Sequence, residues 1–270
     1  MIRFVLVVVY AILAIFQAGV AATGQQTVNQ LLESNSSTAI QSDEPNKSKE
    51  GSRKDSEMPI NLLPMYGAPY AVKNAYEKEA DEEFIATMTK NGVSRDSAAV
   101  ISWALGMQAL DKKDGETAMK RFNQSWLLDQ DGFLSHWGFG QVLFYFRDPK
   151  ESLGYFEKSL SLFGSKSRQG MKSMKPYLFS DAARAYSTVA ILDSLQAPVL
   201  KKRADELFDQ LLRENPKFRE GYTAWLVFSF VNREFRKAWD IVHAARRAGI
   251  QDLPKEILKA LSDNMSEPNE

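Results

Sequence analysis

The chain contains no cysteine. That absence excludes disulfides, thiol nucleophiles, thiolate metal centres and anchoring through a lipidated cysteine. Histidine is nearly as scarce, with His136 and His243 the only two in 270 residues. A histidine-based metal site would need most of its ligands from carboxylates, so neither a metal nor another cofactor is expected. Net charge is missing too, because 34 basic side chains balance 34 acidic ones. A general nucleic-acid or anionic-membrane surface needs a basic excess, so neither is expected as a partner. No G-x-S-x-G, H-E-x-x-H or phosphate-cradling glycine loop occurs. The two histidines read as packing or surface residues, and the acid-rich run at 77–83 reads as a solvated helix face. The expectation is a non-enzymatic protein.

What is present begins with a targeting pattern. Arg3 gives a positive start, Phe4 to Phe16 is apolar apart from Tyr10, and Ala18-Gly19-Val20-Ala21-Ala22 is a run of mostly small residues. This is the layout of a secretory signal peptide, cleaved after Ala21 or Ala22. The alternative is an uncleaved anchor over residues 4–22, since about 19 residues approach the length of a membrane span. Residues 23–62 are polar and carry too little apolar surface to offset the entropy of ordering, so they read as a disordered linker. "LPMYGAPY" at 63–70 reads as an extended lead-in to the folded part.

The folded part repeats. Sliding the chain by 34 residues brings Trp103 onto Trp137, Gly106 onto Gly140, Ala118 onto Ser152, Phe122 onto Phe156 and Ser125 onto Ser159. Trp103, Met107 and Leu110 share one helical face, as do Ala118, Phe122 and Ser125 on the next helix. Between helices sit "KKDGE" and "RDPKE". In the second, Asp148, Pro149 and Glu151 form a helix-start signal of cap, first-turn proline and carboxylate. The reading is helix, tight turn, helix, with a small residue on one helix admitting a Phe from its partner. Two such helices cannot bury their apolar faces alone, so successive pairs must cover one another.

This pattern, carried by Leu105, Gly106, Ala118 and Phe122 and then by Gly140 and Phe156, resembles the tetratricopeptide repeat. Ala204, Phe208 and Pro216, then Ala238 and Val242, supply two more degenerate copies. Ala204 follows Ser152 by 52 residues rather than 34, and the extra length lies in 164–177 and in a longer helix from about 177 to 195. The resemblance implies an all-α, right-handed α-solenoid over 63–263, with repeats at about 98–131, 132–165, 176–217 and 218–251. Capping helices are expected at 73–90, with Ala75, Ala80, Phe84 and Met88 facing the core, and at 253–263. Residues 264–270 read as a disordered tail. The stretches "YGAPY", "AMKRFNQSWLLDQD" and "WGFG" also resemble those of uncharacterised exported bacterial proteins with such repeats, which implies a periplasmic or cell-envelope location.

Solenoids of this kind bind partners on the concave face lined by their first helices. The expected partner-binding stripe is Trp103, Met107, Leu110, Trp137, Gln141, Phe144 and Tyr145. It takes a protein or peptide segment if it faces a groove; the competing reading is core, filled by the "MYGAPY" lead-in and the 73–90 helix. Lys166, Arg168, Lys172 and Lys175, in a loop without an acid, are the expected contact for an acidic partner, or else a solvated loop. The function expected is a scaffold of the bacterial cell envelope. The alternatives are a periplasmic chaperone for unfolded chains and a carboxylate-based enzyme. Membrane contact is expected only through the N-terminal segment, if it is uncleaved. Protein purified from its native host is expected to lack residues 1–21 or 1–22 by intact mass; a surviving Met1 would rule out cleavage.

Overall fold

The structure, a computed structural model, describes residues 58–166 and 169–269. The targeting segment, most of the polar linker, Arg168 and the last residue fall outside them. Among the described residues there are ten α-helices and no strand. They are α1 (Ala75–Met88), α2 (Arg95–Asp111), α3 (Gly115–Leu128), α4 (Phe133–Phe146), α5 (Pro149–Lys166), α6 (Lys175–Leu192), α7 (Ala197–Glu214), α8 (Arg219–Val231), α9 (Phe235–Arg247) and α10 (Lys255–Asn264). Within each of two compact units, helices pack on their neighbours in chain order. Among these described residues none is both long and apolar enough to cross a membrane.

The chain divides into two compact units, with the division at Val142–Leu143 inside α4. In the first, α2 pairs with α3, and α1 rests on both. In the second, α6 pairs with α7 and α8 with α9; α5 lies on α6, α7 on α8, and α10 on α8 and α9.

The repeat register is visible in burial. The small residues Ala118, Ser152, Ala204 and Ala238 are all fully buried, and so, four residues later, are Phe122, Phe156, Phe208 and Val242 (0–1% exposed). A small residue and a large one at i and i+4 share one helix face, which each second helix buries. In the first hairpin the close approach is tight. A Cβ at Gly106 would lie 2.4 Å from the Phe122 ring, and one at Gly138 would lie 2.3 Å from it. The ring therefore needs a bare backbone on both α2 and α4. Gly106 was the glycine expected to face it; Gly138, which has no counterpart in the 34-residue match, is the second.

Two hairpin turns are built alike although 120 residues separate them. At the end of α2, Lys113 takes a left-handed φ of 61°, and Asp114 N–H donates to Ala109 C=O at 2.9 Å. At the end of α8, Arg233 takes φ 59°, and Glu234 N–H donates to Ser229 C=O at 2.9 Å. Both are Schellman closures whose last residue begins the next helix. Asp114 then caps α3 by accepting from Thr117 N–H at 2.9 Å, and these hydrogen bonds hold its carboxyl below the usual range. The start of α5 follows its sequence signal, with Asp148 Oδ1 accepting from Lys150 N–H at 2.8 Å. The helix expected to run to about 195 stops at Leu192, because Asp193 leaves it and accepts from Gln196 N–H ahead of α7.

Order begins before the expected linker end at 62. Residues 60–62 and 64–67 form two short 3₁₀ turns that pack on α3, in place of an extended lead-in. Asn123 on α3 is fully buried and holds them. Its Nδ2 donates to Asn61 C=O (2.9 Å) and Leu63 C=O (2.8 Å), while its Oδ1 accepts from Tyr66 N–H (3.1 Å). Met65 and Tyr66 both sit in the left-handed region (φ 55° and 54°), which costs a non-glycine residue about 1–2 kcal/mol. The Asn123 clasp offsets that strain with three part-buried hydrogen bonds. Lys73 Nζ lies 3.3 Å from the Tyr66 ring centroid and pairs with Asp81 of α1. Burial, with Asp81 nearby, pushes the Tyr66 phenol up.

The α1 face differs from expectation. Ala75 and Ala80 are exposed, and the helix packs through Phe84, Ile85 and Met88 against Ala98, Ala99, Ile101 and Leu128. The chain end is also held further than expected: Trp239 Nε1 donates to Met265 C=O (3.0 Å), and Glu267 pairs with His243 and Arg246.

Gly138→Ala is expected to lower stability by about 1–3 kcal/mol through overpacking against Phe122, measured by urea denaturation. Asn123→Asp, which puts a carboxylate before two carbonyl oxygens, is expected to cost about 3 kcal/mol and to open 58–67 to protease.

Candidate functional site

The seven stripe residues divide by burial. Trp103, Met107, Trp137 and Gln141 are buried, whereas Leu110, Phe144 and Tyr145 are half-buried. Trp103 and Trp137 lie ring to ring, with centroids 5.3 Å apart and planes 35° from parallel. The cause is the composition of α2 and α4. Residues 133–143 are apolar or small on every side but for Ser135, His136 and Gln141, and a helix apolar all round is enclosed all round. The "MYGAPY" lead-in does not fill the stripe, since its 64–67 turn packs on α3. His136 is buried edge-on to Phe139 at 6.0 Å, in keeping with a packing histidine.

At the start of the second unit, Phe144 and Tyr145 stand edge to face with centroids 4.9 Å apart. Tyr145 meets two residues of α6 that sequence reading passed over. Arg184 Nη2 donates to the Tyr145 hydroxyl at 2.9 Å, and Arg184 Nη1 to Asp181 Oδ1 at 3.3 Å. Asp181 is buried and the Arg184 side chain nearly so. Burial raises the Tyr145 phenol. Burial opposes the Arg184 charge, but Tyr145 and Asp181 outweigh it and its pKa rises. The cluster is thus a fixed cation with an anionic partner and a phenol as hydrogen-bond tip. An Asp and an Arg at i, i+3 inside the otherwise uncharged run 178–190 was the available signal.

No family model, curated protein or solved structure matches this chain. Its surfaces therefore have to be read from their own chemistry.

The basic loop is less free than its composition suggests. Lys166 ends α5, with its side chain outside what is described, and Arg168 lies outside altogether. Lys172 is exposed in the 3₁₀ turn 169–174. Lys175 is engaged within the chain: its Nζ pairs with Glu214 at 2.6 Å and lies 5.1 Å from the Phe179 ring centroid. Hydrogen bonding from Lys175 holds the Glu214 carboxyl below its ordinary value of 4.5. A lowered carboxyl contributes stability above its unfolded pKa and loses it as pH falls through the folded one, so this tie weakens only in acid. The neighbouring basic run is also paired in part. Arg203 grips Glu157 with two hydrogen bonds (2.8 and 3.1 Å), and Lys201 pairs with Glu234.

The turn between α6 and α7 is the surface that sequence reading missed. Ile191, Leu192, Leu195 and Val199 are all exposed there, Leu195 to 94%. The expectation of a helix continuing to 195 hid it, because Leu195 then fell on a helical face. Among the described residues no group of His, Asp and Glu is placed to hold a metal ion.

Trp137→Ala is expected to destabilise the fold by about 3–5 kcal/mol, as deletion of a buried aromatic does, read as a lowered melting temperature. A variant that keeps the wild-type melting curve would show that the ring is not part of the core.

Proposed function

We propose that this protein is a non-enzymatic interaction module, a right-handed α-solenoid of the tetratricopeptide type, which is exported and holds a segment of a partner protein in the cell envelope. The observation that carries this reading is the register shared by α3, α5, α7 and α9, each burying a small residue and, four positions later, a large one. A 34-residue unit of this kind suits stacking rather than a closed globule. The mechanism is burial of a partner segment against the first helices of the hairpins. Phe144 and Tyr145 are the stripe residues of the second unit suited to it, because they retain exposed area. Tyr145 adds a hydroxyl held in place by Arg184, and aromatic rings with a polar tip are common anchors at interfaces.

A second reading, a chaperone for unfolded chains, draws on the exposed apolar turn at 191–199. Such a patch suits weak, sequence-tolerant binding. The two readings separate in one experiment. A photo-crosslinking residue at position 144 is expected to capture one discrete partner in intact cells, and Phe144→Asp to abolish capture at an unchanged melting temperature. A broad ladder of adducts from a crosslinker at position 195 would favour the chaperone. Failure to crosslink at 144 and at 172 would overturn the interaction reading.

A further inference from the structure

The last described residues are held to α9 by a small set of polar contacts. Trp239, His243 and Arg246 stand at i, i+4 and i+7, so they form one stripe along that helix. The tail leaves α10 in extended backbone, with Met265 at φ −154° and ψ 122°. Its Met265 carbonyl accepts from the Trp239 indole N–H at 3.0 Å. Two residues later the Glu267 carboxylate meets His243 Nε2 at 2.9 Å and the Arg246 guanidinium. Trp239 and His243 are buried, whereas Ser266 and Glu267 are exposed. The tail therefore lies on the surface and covers a stripe of three donors.

Little in these contacts is particular to the tail. They use one backbone carbonyl, which every peptide has, and one carboxylate at the second position after it. A surface segment held by a few polar contacts is readily exchanged, yet its tether keeps its effective concentration in the millimolar range, enough to exclude a weaker competitor. We propose that the Trp239–His243–Arg246 stripe is a docking site for an extended acidic peptide, which the chain's own residues 265–267 occupy in cis. The site lies on the second helix of its hairpin rather than on the first helices invoked above, and it stands whether or not that reading holds. Its partner is a protein segment with Glu two residues after a free carbonyl, and binding requires displacement of residues 265–267.

The test uses the full-length chain. Glu267→Lys sets a cation against Arg246 and lifts the tail, and Glu267→Gln is a milder version. The probe is a capped peptide with the sequence of residues 264–269, followed through the Trp239 indole and His243 imidazole NMR signals. Both variants are expected to bind it saturably below about 5 mM and at least about tenfold more tightly than the wild type, whose own tail competes. A probe with Gln for Glu is expected to bind about tenfold more weakly than the parent probe. Adding Arg246→Glu to Glu267→Lys restores an ion pair of reversed sign and is expected to close the site again. The proposal fails if neither single variant shows saturable shifts up to about 5 mM. It fails equally if the Gln probe binds as well as the parent, or if the wild type binds as tightly as the variants.

Discussion

The Phe122 ring sits where two helices can come no closer. It is bounded by the bare backbone of Gly106 on α2 and of Gly138 on α4, at distances no Cβ could share. That contact sets the approach of α3 to α2 and of α4 to α3, and through them the placing of the first unit's core. The same logic recurs with different residues in the second unit, where Ala204 and Phe208, then Ala238 and Val242, are buried without exposure. Dense packing makes such positions intolerant, because an added methyl has no void to enter.

Polar contacts fasten the chain where apolar packing thins out. Asn123 is adjacent in sequence to Phe122 but points to a different neighbour, so α3 buries a ring on one side and clasps residues 61–66 with its amide on another. In the second unit, Asp205 on α7 accepts from the Trp225 indole of α8 (2.8 Å) and pairs with Lys237 of α9, tying three helices at one carboxylate. Phe208 stacks on the same indole at 5.7 Å, so the ring is held by its face and its edge at once. Polar groups taken partly or wholly out of water are favourable only when satisfied, and Asn123, Asp205 and Trp225 are.

Charge is neutral in sum and uneven in depth. Most ion pairs lie at the surface, where each contributes little. Arg184 is different: it is nearly enclosed, with Asp181 on its own helix and the Tyr145 hydroxyl on α4. Enclosing a guanidinium is costly unless its donors are used, so the arrangement fixes the orientation of Tyr145 more firmly than an apolar neighbour would. A half-buried aromatic with a fixed hydroxyl is better prepared to meet a partner than one free to rotate.

The sequence by itself determined that the described part is helical, where several of its helices begin, and which small and large residues share the buried face of each second helix. Residues 118, 122 and 125 announce a buried face by spacing alone, and Asp148-Pro149 announces a helix start, because local periodicity and capping are properties of a single element. Tertiary structure decided the rest. Spacing placed Trp103 and Trp137 on a stripe but could not say whether a neighbour covers it, and α2 and α4 turn out to be enclosed on nearly every side. The Arg184 cluster, the Asn123 clasp and the fastening of Glu267 were beyond reach for a related reason. Each joins residues 21 to 62 positions apart in the chain, and only the folded backbone brings such partners within a hydrogen bond's length.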